Sequence, residues 1–388
     1  MSVVRIGIIG VGVMGSAHVN SVKQLKNCEL TALCDIDPKV LERYRESCVE
    51  LFSDSEALFA SGKVDGVIIS TPHYFHVPLA LRAMEHGIHV LVEKPIAVQK
   101  SEAERLVAAS KAHPELKLSA MFCLRRIPTN IKIKQLIESG ELGAIRRINW
   151  IITDWFRTQT YYDSGTWRAT WAGEGGGVLL NQCPHQLDLM QWFFGMPEKV
   201  TARVFFGKYH DIEVEDEVSA ILEYPDGRTG MFVTSTGEAP GTNRLEIAAE
   251  RGRLVLENGR LSFIRNEIPM SEFCRTTKST MSLPDRWNID IPVNGANPTM
   301  HRDIIENFAD AILHGAPLYA PATEGINSLE LGNAMLLSQL KGAPVSLPLN
   351  AGEFDVELEK LIANSRKGKK TLPSHTSLKL SFLSSCLS

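Results

Sequence analysis

The chain has 388 residues, 44% hydrophobic and 22% charged, with a formal net charge of -4. That length exceeds the usual single domain, so two domains are expected, and the charge balance offers nothing to nucleic acid or an acidic membrane. No apolar run approaches the roughly eighteen residues a bilayer span needs, and the seven scattered cysteines contain no CxxC pair, as expected of reduced thiols in a cytoplasmic protein.

The N-terminus runs straight into strand-like sequence rather than a secretory signal. Val3 to Ile9 is a mostly apolar run of strand length, followed at once by Gly10-Val11-Gly12-Val13-Met14-Gly15 and a helix-compatible stretch through Ala17, Val22 and Leu25. Strand, glycine turn and helix in this order form the dinucleotide fingerprint. Gly10 permits the tight turn, Gly12 lets the backbone approach a pyrophosphate, and Gly15 lets helix and strand pack closely. The helix opening at Val13 and Met14 presents free N–H groups to phosphates. A second strand, Leu30 to Cys34, ends in Asp35, twenty residues beyond Gly15. A carboxylate there accepts hydrogen bonds from the adenosine ribose and repels a 2′-phosphate, so NAD is expected over NADP. Asp35 and Asp37 also suit a strand end and a helix cap before Pro38.

Strands at Val64–Ile69, Ile88–Val92 and Leu116–Phe122 alternate with helices at Val77–Glu85 and Ser101–Ala112. Repeated βα units with apolar strands predict a doubly wound parallel sheet, whose ligand sits beyond the carboxyl ends of the strands. Ser70-Thr71-Pro72, with His73 and His76 after it, and Glu93-Lys94-Pro95 fall at those ends. Lys94 stands at a strand's edge before a proline that restricts the backbone, which places it at the mouth of a cofactor crevice.

The pattern changes after Phe122. A helix at Ile131–Ser139 leads through Gly140-Glu141-Leu142-Gly143 to a strand at Ile145–Ile152. Asp154 to Trp171 is rich in aromatics, and Tyr161, Trp167, Arg168 and Trp171 suit a flat ring with hydroxyls at its rim, or equally the packing of a domain interface. Gly175 to Gly195 follows, with three glycines and a helix beginning close to Pro184. Asn181 and His185 are four apart, so a helix would put both on one face as a wall of an active site. Strands between Val200 and Glu257, separated by turns such as Pro225-Asp226-Gly227, predict a mostly antiparallel open sheet. Pairs at period two, Val204 and Phe206, Ala220 and Leu222, Met231 and Val233, predict a face too apolar to stay wet, hence a homodimer or homotetramer. Helices return at Thr299–Leu313 and Thr323–Leu340. The expected division is a Rossmann domain over 1–123, a substrate-binding and oligomerisation domain over 124–350, and a poorly ordered tail over 351–388.

Taken together, GVGVMG, Asp35, Ser70-Thr71-Pro72, Glu93-Lys94-Pro95 and GGGVLLNQCPHQLD resemble the Gfo/Idh/MocA family of nicotinamide-dependent sugar and cyclitol oxidoreductases, over the chain to about Pro348. The resemblance implies a Rossmann domain followed by an α/β domain with an open sheet. It also implies cofactor contacts from the glycine turn, Asp35, the Ser70–Pro72 loop, His76, Glu93 and Lys94, with NAD as cofactor. Lys94, next to a cis proline bond, and His185 would face the nicotinamide from the two domains. Many relatives carry Asp where this chain has Asn181, which removes a charge beside the imidazole. The activity implied is hydride transfer between NAD and a ring hydroxyl of a sugar, glycoside or cyclitol. A redox-assisted glycosidase and a non-catalytic sugar sensor are the alternatives. Cys123, Cys183, His76 and His185 lack the spacing of a structural zinc site, so no metal is expected.

Overall fold

The computed structural model describes residues 2–293 and 296–365. Strands β1 (Val4–Ile9), β2 (Cys28–Cys34), β3 (Glu50–Phe52), β4 (Gly66–Ile69), β5 (His89–Val92) and β6 (Leu118–Ala120) form one parallel sheet in the order β3-β2-β1-β4-β5-β6. The crossovers include α1 (Val13–Val22), α2 (Pro38–Glu42), α3 (Ser55–Ala60), α4 (His76–Glu85) and α5 (Lys100–Ala112). Ile6, Ile8, Ile68, Ile69, Leu91 and Val92 are fully buried, as residues of a sheet covered on both faces must be. The strand order reverses between β1 and β4, and the crevice at that reversal is where doubly wound sheets take ligands.

Past α6 (Pro128–Glu138) the described residues build a second sheet of nine strands. It comprises β7 (Ile145–Ile152), β8 (Lys199–Phe206), β9 (Glu215–Glu223), β10 (Thr229–Ser235), β11 (Asn243–Ala249), β12 (Gly252–Glu257), β13 (Arg260–Asn266), β14 (Arg286–Ile291) and β15 (Val345–Ser346). Only β7 and β10 pair in parallel, so the sheet is mixed and mostly antiparallel. The helices after α6 are α7 (Gln159–Asp163), α8 (Pro184–Phe194), α9 (Met270–Thr276), α10 (Met300–His314), α11 (Ala322–Lys341) and α12 (Ala351–Ala363). Val204, Ala220, Leu222 and Phe232 are buried on the face that carries α8 and α11. Ile151, Ile221 and Met231 are exposed on the other. The period-two pairs therefore do not share one face. Val204, Ala220 and Leu222 point inward and Met231 outward, while Phe206 follows a register irregularity and is exposed.

Two expectations change with the packing. Chain order assigns α10 to the second domain, yet it lies against α1, β1 and β5, with Phe308 at 3.1 Å from where a Cβ on Gly66 would stand. The expected tail is helical over 351–363, because Phe354 and Leu358 lie four apart and bury together while Asn350 caps the first turn. Residues 366–388 of that tail lie outside the described residues. The two halves are tied by Lys100, whose buried Nζ meets Glu330 at 3.0 Å and the Leu349 carbonyl at 2.6 Å. No helix among the described residues is long and apolar enough to cross a membrane.

Candidate active site

At the end of β1 the turn closes on itself. Gly10 has φ 84°, and its carbonyl accepts the Ser70 hydroxyl at 2.7 Å. A Cβ on Gly15 would stand 2.0 Å from that same carbonyl, so glycine is obligatory there. A Cβ on Gly12 would meet nothing within 4 Å, which leaves open space beside the start of α1. No side chain caps that helix, and Val13 and Met14 are exposed, so its first N–H groups are available to an anion. Asp35 accepts the Val11 N–H at 2.7 Å and the Asp37 N–H at 2.9 Å, one on each oxygen. Each carboxylate oxygen retains a lone pair for a ribose hydroxyl. Asp37 caps α2 through the Lys39 N–H. The residues present thus fit a dinucleotide with its adenosine ribose at Asp35.

Two residues expected to touch the cofactor are turned inward. His76 is buried with its ring nitrogens 2.7 Å from the Pro95 carbonyl and 2.8 Å from that of Thr71, so it braces two loops. Glu93 accepts His18 Nε2 at 2.7 Å and the Lys94 N–H at 3.0 Å. Burial would raise its pKa, but the His18 hydrogen bond and the nearby Lys94 ammonium hold it down at about 2. It anchors the strand end that aims Lys94. Thr71 Oγ1, at the lip of the crevice, is buried with no partner among the described residues.

Lys94 precedes a cis bond to Pro95, and its Nζ donates to the Asn181 carbonyl at 2.7 Å across the domain boundary. Burial lowers its pKa from 10.5. His185 sits in the first turn of α8, which starts at Pro184 because a proline needs no N–H partner there. Its Nδ1 is buried without a partner among the described residues. Burial, reinforced by Lys94 and His301, pushes the imidazole down to about 3, so the ring is neutral. Asn181 departs from the expected shared helix face. It precedes α8 in a turn, its backbone carbonyl holds Lys94, and its side-chain amide donates to Glu174. Asp188, one turn past His185, is bound at both oxygens by Arg125 and takes no part in the cleft.

The aromatic stretch divides. The Tyr161 hydroxyl accepts Arg168 Nη1 at 3.1 Å, with the amides of Asn181 and Gln182 at 3.5 Å. Arg168 stacks between the rings of Tyr161 and Trp167, and Trp167 meets His73 edge-on at 5.8 Å. These three residues line the wall beside Lys94. Trp171 does not. It is 3% exposed, packs on Phe206, lends its carbonyl to Tyr74 and donates its N–H to Glu213, so it belongs to the packed interface. Gly175 and Gly177 allow this segment to dock, since a Cβ would stand 2.3 Å from Val98 Cγ1 and 2.0 Å from the Glu215 carbonyl, respectively. Sequence reasoning overlooked Glu174 and the roles of His73 and Tyr74. No spacing marks His73 or Tyr74, whose partners lie about a hundred residues away in the chain, and Glu174 reaches Ala169 and Asn181 within an irregular segment that has no period to read. No cluster of three or more His, Cys, Asp or Glu among the described residues is arranged to hold a metal ion.

Comparison with known proteins agrees with this geometry. Residues 4–120 match the model of an oxidoreductase family with an NAD-binding Rossmann fold, and residues 131–255 match the GFO/IDH/MocA C-terminal domain. Inositol 2-dehydrogenase of Rhizobium meliloti (strain 1021) is 24% identical over 358 residues, 89% of this chain and 99% of that protein. The WlbA dehydrogenase from Bordetella pertussis, solved with NADH and UDP-GlcNAcA, superposes with a TM-score of 0.75 at 25% identity, covering 90% of this chain and all of that one. A levoglucosan dehydrogenase solved with NADH shares the fold, with a TM-score of 0.74 at 20% identity over 89% of this chain and 99% of that one.

Proposed function

Because the chain belongs to the Gfo/Idh/MocA family of oxidoreductases, with an NAD-binding Rossmann domain, we propose that it moves a hydride between NAD and a secondary ring hydroxyl of a sugar, glycoside or cyclitol. One observation carries the reading: Lys94 and His185, from the two domains, stand at one cleft beside the open glycine turn, one a cation and the other a neutral imidazole with an unpaired nitrogen. NAD, when bound, supplies the hydride acceptor. His185 takes the hydroxyl proton, a task suited to imidazole. The Lys94 ammonium retains N–H groups beyond the one given to Asn181, and these steady the developing alkoxide. Tyr161 and Trp167 offer ring faces to a carbohydrate, and Arg168 offers donors at its rim. The similarity to an inositol 2-dehydrogenase and to a dehydrogenase solved with UDP-GlcNAcA supports this substrate class.

The test is a panel of inositols, aldoses and glycosides incubated with NAD or NADP, read by NADH absorbance. Turnover with NAD on at least one cyclic polyol is expected, with NADP weaker because of Asp35. Aglycone release without NADH accumulation would replace the dehydrogenase with the redox-assisted glycosidase. The exposed Ile151, Ile221 and Met231 support a homo-oligomer that covers the outer face of the second sheet. A monomeric mass by light scattering would exclude that assembly.

A further inference from the structure

Glu174 sits between two pieces of the wall and is 2% exposed. Its Oε2 accepts the Ala169 N–H at 2.5 Å, and Ala169 holds a left-handed φ of 54° directly after Arg168. Its Oε1 accepts the Asn181 amide. A single buried carboxylate therefore holds the backbone that presents Arg168 and also the residue whose carbonyl receives Lys94. From the opposite domain, His73 Nδ1 donates to the Glu174 carbonyl at 3.0 Å. Burying a charge is expensive unless its surroundings answer it. Here two N–H donors do so directly, and Arg168 and Lys94 act on it through space.

We propose that Glu174 is a positioning residue of the active site, which orients Asn181 by a hydrogen bond and supplies, alongside Glu93, a buried negative charge that favours the Lys94 cation. The inference rests on the reading of Lys94 as the group that steadies the reacting oxygen. Several other groups share this environment. Glu93, Cys123 and Arg168 act on Lys94 alongside Glu174, and Lys94 in turn acts on His73, His76, His185 and His301. Glu174 also acts through space on Glu215. Of the carboxylates around Lys94, Glu93 is already paired with His18, whereas Glu174 has only neutral hydrogen-bond donors. Burial raises the Glu174 pKa, and the surrounding donors and cations oppose that rise.

The experiment follows the Lys94 amine directly, by NMR titration of the full chain with ¹³C-dimethylated lysines, assigned with Lys94→Arg. Removing the charge in Glu174→Gln should move the Lys94 midpoint down by about half a unit or more, since its ammonium loses a favourable neighbour. Glu174→Gln/Asn181→Asp should bring it back. That pair exchanges amide and carboxylate between the two positions. The new amide accepts from the Ala169 N–H and donates to the new carboxylate, while the negative charge stays beside Lys94. On a substrate found by the panel, Glu174→Gln should lower kcat about 10²-fold with NAD affinity unchanged, and the double variant should recover most of it. An unmoved Lys94 midpoint in Glu174→Gln overturns the proposal, as does a shift that the double variant fails to reverse. Should Glu174→Gln not fold, the double variant must fold and titrate like the wild type, or the proposal falls. Because the titration needs no substrate, it stands apart from any failure of the dehydrogenase reading.

Discussion

The two sides of the cleft are built on different principles. The cofactor side is a short local structure: Gly10, Gly12, Gly15, the start of α1 and Asp35 act largely through backbone groups and the space left by absent side chains. The substrate side is a long irregular segment that leads into α8 and acts through side chains. Its register is set from the other domain. Tyr74, His73 and Lys94 each donate to one of its carbonyls, those of Trp171, Glu174 and Asn181. A local turn carries its geometry with it, whereas a docked segment has geometry only when both domains are in place.

The largest expected break falls where the two sides meet. Lys94→Ala removes a charge needed mainly in the transition state, so turnover should fall about 10²–10⁴-fold while calorimetry still finds NAD binding. His185→Ala should show the same signature, and near wild-type turnover in either variant would undo the assignment. On the local side, Gly15→Ala should do the reverse. Its Cβ would stand 2.0 Å from the Gly10 carbonyl and force the turn open, which should weaken NAD binding by about 10²-fold or more in the same titration.

The pH profile sharpens the contrast. Burial lowers the Lys94 pKa from 10.5, so activity should decline as pH rises through a value below that, and Lys94→Arg should move this limb upward because guanidinium keeps its proton. With His185 pushed down to about 3, this ring should contribute no acid limb between roughly pH 5 and 8, although an ordinary histidine would titrate there.

The smallest effect concerns stability beneath the wall. Glu215 is fully buried, accepts the Leu179 N–H at 3.0 Å and has its other oxygen unpaired among the described residues. Burial raises its pKa from 4.5 to about 7. The folded state then holds the proton more tightly than the unfolded one. This contribution is complete below pH 4.5 and is lost as pH rises through about 7. Glu215→Gln should melt like the wild type at pH 5 and higher than it at pH 8.5, with a gain of up to about 3 kcal/mol. Equal melting at both values would place the proton elsewhere.

Much of this was legible in the chain itself. Glycine spacing, apolar strands and turn signals determined the Rossmann sheet, the antiparallel sheet, the start of α8 at Pro184 and the candidacy of Lys94 and His185, because those signals depend on neighbours within a few residues. They also led to the family. What depended on distant partners had to await the fold. Nothing near Asn181 in sequence shows that its carbonyl receives Lys94 and its amide meets Glu174. Nor does anything near Trp171, His76 or Glu93 show that they face inward. Period two told which residues of a strand lie together but not which face of the sheet would be covered by α8 and α11. A local pattern records what a residue prefers, and only the packed structure decides which of its possible partners arrives.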